Sequence, residues 1–299
     1  MAPIVIVIVS AVLALCLLSI GIAAFVGWSL THPQRSPLTE TPDHYGIAYE
    51  NVQFPSRRHD VSLQGWYLAG AEPRSRMTVV MAHGYRENRL QSPSQALPLA
   101  QFLVKQGYDV LMFDFRNSGN SEGNVTSVGY FEKSDLLGAM DWVKTKKPEG
   151  IIGIIGFSMG ATTALMAAAE EPSVAGIVAD SPFSQLKPYL QENLPVWSHL
   201  PNFPFTPLIL NIIPPLTGID PEQVDAIKAA DALYPRPALF IHSVNDHSIP
   251  ISNSEAIASR HPDKFELWKT ENEGHVRSHP AAPEAYETKV ADFLGKLSQ

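Results

Sequence analysis

The sequence predicts an α/β fold, a mostly parallel sheet with helices on both faces, and three observations carry that prediction. Short runs of Val, Ile, Leu and Met alternate with helical stretches from Met77 onward, the spacing of strand-helix-strand units whose strands are covered on both sides. One unit, Ile151 to Ala169, reads strand, then Gly156-Phe157-Ser158-Met159-Gly160, then helix, with no spacer between them. The alternation lapses from about residue 184 to 235, where a proline-punctuated, largely uncharged stretch predicts a small cap inserted over the sheet.

Taken in order, the chain begins with Ile4 to Leu30, a run without Asp, Glu, Lys, Arg or His. At about 1.5 Å per residue it exceeds the roughly 30 Å of a bilayer core, and Trp28 falls where an interfacial aromatic sits, so residues 1–30 are expected to be a single transmembrane anchor. A cleaved signal peptide fits less well, because Met1-Ala2-Pro3 offers only the terminal amine as a basic region. Arg35 alone on the C-terminal side leaves the side of the membrane unread. Residues 31–42, THPQRSPLTETP, are polar and proline-rich and are expected to be a linker lifting the domain, residues 43–299, off the bilayer.

Ala48 to Phe54 and Val61 to Leu68 alternate in polarity across a turn holding Arg57 and Arg58, and predict an antiparallel pair with both arginines solvated. Strand Met77 to Ala82, helix Ser94 to Gln106, strand Tyr108 to Phe113 and helix Tyr130 to Lys146 follow. Then come the strand and helix around Ser158, and strand Val174 to Ala179. Toward the end of the cap, Asp220-Pro221-Glu222 reads as a helix start. The remaining elements are strand Pro237 to His242, helix Ser252 to Ser259, strand Phe265 to Trp268 and helix Pro283 to Leu297.

Composition excludes some functions. A net charge of −8 without a basic cluster argues against nucleic acid as a partner. One cysteine, Cys16, permits no intrachain disulfide. No histidine pair has a carboxylate at usable spacing, so no metal is expected; no cofactor is expected either.

The chemistry centres on Ser158. A serine between two glycines at a sharp strand-to-helix turn stands clear of the sheet, and the following helix aims free N–H groups and its positive end at the same point. Side chains at Gly156 and Gly160 would collide with the neighbouring strand and helix. A serine hydroxyl needs a base, and the base an acidic orienter. Asp246, in the loop after one strand, and His275, after the next, lie on loops at the end of the sheet where Ser158 emerges. Asp180 is the rival acid, and His247 and His279 are rival bases. His83 is expected to shape its loop, and Asp114 and Arg116 to hold theirs by a charge-assisted hydrogen bond.

His83-Gly84, Asp114-Phe115-Arg116, the Gly156 to Gly160 turn, Asp246 with Ile249-Pro250, and Gly274-His275 together resemble the α/β-hydrolase superfamily. More narrowly, from Tyr45 onward the chain is similar to small serine hydrolases of the Bem46-like and bacterial membrane-anchored esterase-like groups. The resemblance implies Ser158 as nucleophile, Asp246 as orienter, His275 as general acid and base, and backbone N–H groups of Tyr85 and Met159 as the oxyanion hole. It departs at Ser243 and Asn117, where relatives usually carry Gly. The activity implied is cleavage of a carboxylic ester or thioester, with a small or lipid-like acyl ester as substrate. An acyltransferase or peptidase using the same triad, and a membrane-tethered binding module, are the alternatives.

Overall fold

The computed structural model describes residues 2–73 and 75–298, the side chains of 2, 272 and 273 apart; the segment ends at Met1 and Gln299 lie outside the described residues. Helix α1 (Ala2–Thr31) comes first. It is apolar and long enough to cross a membrane, with a mean hydropathy of 3.0 over 18 residues. Residues 3–18 are exposed, whereas Ala23 and Gly27 are buried against the rest of the chain.

The sheet is assembled from β1 (Glu50–Pro55), β2 (Ser62–Leu68), β3 (Met77–Ala82), β4 (Asp109–Phe113), β5 (Ile151–Phe157), β6 (Val174–Asp180), β7 (Ala238–Asn245) and β8 (Phe265–Glu273). Its eight strands run in the order β1-β2-β4-β3-β5-β6-β7-β8. The β1/β2 ribbon meets β4 antiparallel, and every junction from β4 to β8 is parallel. Side-chain alternation then divides the core. Val80, Leu111, Ile154 and Ile177 face α3 (Glu132–Lys146) and α4 (Met159–Glu170). Val79, Met112, Ile155 and Val178 face α2 (Ala96–Lys105) and α10 (Pro283–Leu297). Each fully buried aliphatic side chain contributes about 1.5–3 kcal/mol by leaving water, so with both faces apolar the strands read as continuous hydrophobic runs.

Between β6 and β7 the chain forms α5 (Leu186–Ser198), α6 (Asn202–Thr217) and α7 (Ala226–Leu233). Only α5 and α6 stand over the sheet end. Ala226, Ala230 and Leu233 of α7 are buried in the main core with α4, so the helical cap ends earlier than the expected 184–235. The helix start also moves. Asp220 caps only a short 3-10 turn, while Asp225 accepts a hydrogen bond from the Lys228 N–H and caps α7. Helices α8 (Ser252–Ala258) and α9 (Ser278–Ala281) complete the chain.

Two further expectations change. Arg58 is exposed as expected, but Arg57 is not simply solvated. Its Nη2 lies 2.6 Å from Asp141 and 2.7 Å from Glu171, clamping the β1/β2 turn to α3 and the end of α4. Residues 31–42 do not form a free spacer. The Thr31 carbonyl accepts from the Thr126 N–H at 2.8 Å, Arg35 donates to the Gly123 carbonyl at 2.7 Å, and Asn88 Nδ2 donates to the carbonyls of Ser36 and Pro37 at 3.1 and 3.0 Å. Held at Thr31 and at residues 35–37, the segment lies on the domain.

Candidate active site

Ser158 sits between β5 and α4 at φ 54°, ψ −118°, a conformation that L-residues adopt only under constraint. The constraint is visible at both glycines. A Cβ on Gly156 would stand 2.5 Å from the Gly160 carbonyl oxygen, and one on Gly160 would stand 2.1 Å from that of Ala82 at the end of β3. The Ser158 N–H is held by the Asp180 carbonyl at 2.8 Å. The hydroxyl is thereby lifted off the sheet at the start of α4.

Strand β7 runs on to Asn245, and β8 to Glu273, past the predicted end at Trp268. Asp246 and His275 therefore emerge directly from strand ends, beside the serine. His275 Nε2 lies 2.7 Å from Ser158 Oγ, and its Nδ1 lies 2.6 Å from Asp246 Oδ2. A carboxylate only accepts, so Nδ1 carries the proton and Nε2 is left to accept from the serine hydroxyl. Asp246 Oδ1 accepts from the N–H groups of Ser248 and Ile249 at 2.9 and 3.0 Å. Burial alone would raise the Asp246 pKa, but hydrogen bonds from His242 and His275 outweigh it and hold the carboxyl well below the usual range.

His242 is a participant that sequence reasoning passed over. It is fully buried within β7, with Nε2 at 2.9 Å from the Ile249 carbonyl and 3.3 Å from Asp246 Oδ2, and Nδ1 at 2.7 Å from Ser254 Oγ. Two acceptors at Nε2 assign the proton there. Asp246 is thus gripped from a second side. A polar residue closing the apolar run Ala238-Leu239-Phe240-Ile241 was the signal available.

Tyr85 lies in the loop after β3, and Met159 opens α4. Among the described residues neither backbone N–H meets an acceptor, as expected for the first residue of a helix. The Tyr85 loop is pinned by Gln91, whose Oε1 accepts from the Gly84 N–H at 2.6 Å, while Ser94 Oγ donates to the Val276 carbonyl at 2.9 Å, next to His275. Nothing in the sequence marked Gln91 or Ser94.

The rivals are occupied elsewhere. Asp180 accepts from Ser181 and Tyr286 hydroxyls at 2.9 and 3.0 Å, and burial raises its pKa. His247 is exposed, and His279 is buried with Nδ1 on the Ser94 carbonyl at 2.8 Å. His83 shapes its loop: Nδ1–H donates to the Gly84 carbonyl and Nε2 accepts from the Phe115 N–H. Burial lowers its pKa to about 4 and keeps it neutral. Asp114 and Arg116 do hold their loop, but through other partners: Asp114 pairs with Arg89 at 2.6 Å, and Arg116 with Asp135 at 2.7 Å. Asn117 adopts φ 55°, a left-handed conformation asparagine tolerates, and Ser243 Oγ accepts from the Asn245 N–H. Both departures from the usual glycine are absorbed locally.

Two hollows meet at Ser158. One, of about 120 Å³, is lined by apolar side chains of α5 and α6, with Phe183 and Ile249. The other, of about 300 Å³, holds Glu87, His275 and Arg277. Burial raises the Glu87 pKa.

The sequence model of the X-Pro dipeptidyl-peptidase family (S15 family) matches residues 72–275. The chain belongs to the S15 family. It is 30% identical over 239 residues to the uncharacterized protein YqkD of Bacillus subtilis, covering 79% of this chain and 76% of that protein. The esterase Pf2001 of Pyrococcus furiosus superposes with a TM-score of 0.74 at 29% identity, covering 89% of this chain and 98% of its own. The acylaminoacyl peptidase of Pyrococcus horikoshii, at 17% identity and a TM-score of 0.62, shares the fold. This S15-family member is a serine hydrolase of the α/β-hydrolase fold.

Proposed function

We propose that the chain hydrolyses a carboxylic ester or thioester through an acyl-enzyme on Ser158. The carrying observation is the unbroken chain from Ser158 Oγ to His275 Nε2 at 2.7 Å and from His275 Nδ1 to Asp246 Oδ2 at 2.6 Å. Ser158 Oγ attacks the carbonyl carbon as His275 Nε2 takes its proton, and Asp246 stabilises the imidazolium that forms. The developing oxyanion receives the N–H groups of Tyr85 and Met159, which have no other acceptor among the described residues. The alcohol or thiol leaves with the proton from His275 into the wider, polar hollow. Water, activated by the same imidazole, then releases the acid. In this reading the acyl group occupies the apolar hollow, and α1 anchors the enzyme in a membrane.

The family description favours a second reading, in which the same groups cleave a peptide. Glu87, without an ion-pair partner among the described residues, lines the polar hollow beside Ser158 and could hold a peptide's amino group. One experiment separates them. The full chain is labelled with a fluorophosphonate, then assayed on p-nitrophenyl esters and on an alanyl-prolyl anilide. Labelling should vanish in Ser158→Ala, with turnover down by about 10⁴- to 10⁶-fold. Hydrolysis of the anilide but not the esters would replace the ester reading with the peptidase one.

A further inference from the structure

The apolar hollow beside Ser158 has a wall outside the hydrolase core. Gly27, Leu30 and Thr31, the last turn of α1, line it together with Ile209 and Ile213 of α6. The two helices meet at close range. A Cβ on Gly27 would lie 2.4 Å from Ile213 Cγ1, so a larger residue there would force the Ile213 side chain to move. Ala23, Leu194, Ile209 and Ile213 form a small core of their own between α1 and the cap.

The end of α1 is also tied to the reacting groups. The last carbonyls of a helix have no partner within it. That of Leu30 accepts from the Tyr85 hydroxyl at 2.6 Å, and Tyr85 is the residue whose N–H faces the oxyanion in the reading above. Its ring packs edge-on against Trp197 of α5 at 5.9 Å between centroids. Loop, cap and N-terminal helix therefore share one contact point.

Where this wall would stand relative to a bilayer follows from length. About twenty helical residues fill a bilayer core, so with residues 27–31 at its edge the core takes in about residues 7–26 and most of the exposed apolar stretch 3–18. Helix α6 adds to the same surface: Asn202–Thr217 contains no charged residue, and Phe203 and Leu216 are 82% and 60% exposed. Exposed apolar side chains on both helices suit a contact with lipid.

We propose that the last turn of α1 is part of the substrate site, forming with α6 an acyl-chain wall that admits the hydrocarbon chain of an ester dissolved in the bilayer. The inference rests on the ester reading of Ser158 and adds the source and chemistry of its substrate. Leu30 then sets chain-length preference, and α1 is needed for specificity as well as attachment.

The test uses the full chain in phosphatidylcholine nanodiscs. A long alkyl fluorophosphonate carrying a mid-chain diazirine is attached to Ser158 and photolysed. Turnover of p-nitrophenyl decanoate and acetate is compared in parallel. Crosslinks should map to the peptide holding residues 27–31, and Leu30→Trp should lower the decanoate-to-acetate ratio of kcat/KM by about tenfold or more. Leu18→Trp, on the exposed part of α1, should leave both rates unchanged. Crosslinks confined to other segments, with an unchanged ratio in Leu30→Trp, overturn the inference while wild-type labelling and turnover leave the ester reading standing. Wild-type chain that neither labels nor hydrolyses overturns both. Should Leu30→Trp fail to fold, the crosslink map on wild type decides alone.

Discussion

The two sides of Ser158 are built on opposite principles. On the strand-end side, polar groups are fixed in place by hydrogen bonds: Asp246 by two backbone N–H groups and two imidazoles, His275 by Asp246, Gly84 by Gln91. On the cap side, α5, α6 and the end of α1 meet through apolar side chains, and few polar bonds cross. Tyr189 is the main exception, its hydroxyl donating to the Ser248 carbonyl at 2.8 Å and accepting from Trp197 at 2.7 Å. Directional bonds hold atoms to the tolerance that proton transfer needs, whereas apolar packing tolerates changes of shape at similar volume. The first side is therefore suited to set the reaction, and the second to set what is admitted to it.

The largest loss should come from removing a charge on the strand-end side. Asp246→Asn should keep the fold and cost about 10⁴-fold in kcat, because an amide no longer enforces the tautomer with Nε2 free to accept. Asp180→Asn should cost less than about tenfold in kcat, since its partners are Ser181 and Tyr286. Steady-state kinetics on a single ester, with circular dichroism as a fold control, compares them. A collapse of kcat in Asp180→Asn with Asp246→Asn nearly active would move the acid to β6.

The same division explains what could be read without coordinates. The sheet, the Ser158 turn and the loops bearing Asp246 and His275 were legible because backbone geometry imposes residue types there: glycines where a Cβ would strike a carbonyl, β-branched runs buried on both faces. His242 and Gln91 left little trace, since any polar side chain of suitable reach could stand at their positions and only the folded partner reveals the bond. Residues 31–42 were misread because proline and polarity signal irregular backbone, not whether that backbone is docked. The α1 contribution to the hollow was hidden for a related reason. An apolar helix reads the same whether its end meets lipid or Ile213.

A second, smaller effect probes how far burial governs the strand-end side. His83 takes up its proton near pH 6.5 when unfolded but only at about 4 when folded, because burial penalises the cation. Between those values the unfolded state binds more protons, so stability is full above about pH 6.5 and falls as pH drops toward 4. The loss is about 3 kcal/mol across the window. Burial raises the Asp135 pKa to about 6 and works in the opposite sense over part of this window, so the His83 contribution is read as a difference. In thermal melts of the full chain in detergent at successive pH values, His83→Gln should lose less stability than wild type as pH falls from about 6.5 to 4, whatever its absolute stability. An unchanged slope would mean that another group carries the acid sensitivity.

The smallest effect lies at the seam between the two sides, and Gln91 is where to look. Its backbone is already at φ 40°, so Gln91→Ala adds no new strain there and removes only the side-chain bonds. Gly84 then loses its 2.6 Å acceptor, and the Tyr85 N–H, one residue on, loses its fixed direction. Outright removal of an oxyanion donor costs about 10²- to 10³-fold, and a donor merely loosened should cost less, about tenfold in kcat. Because the bond matters only when negative charge develops, KM for a short ester should stay within about twofold. A raised KM with unchanged kcat would instead assign Gln91 to the wall of the polar hollow, and would make that loop part of the substrate-selecting side.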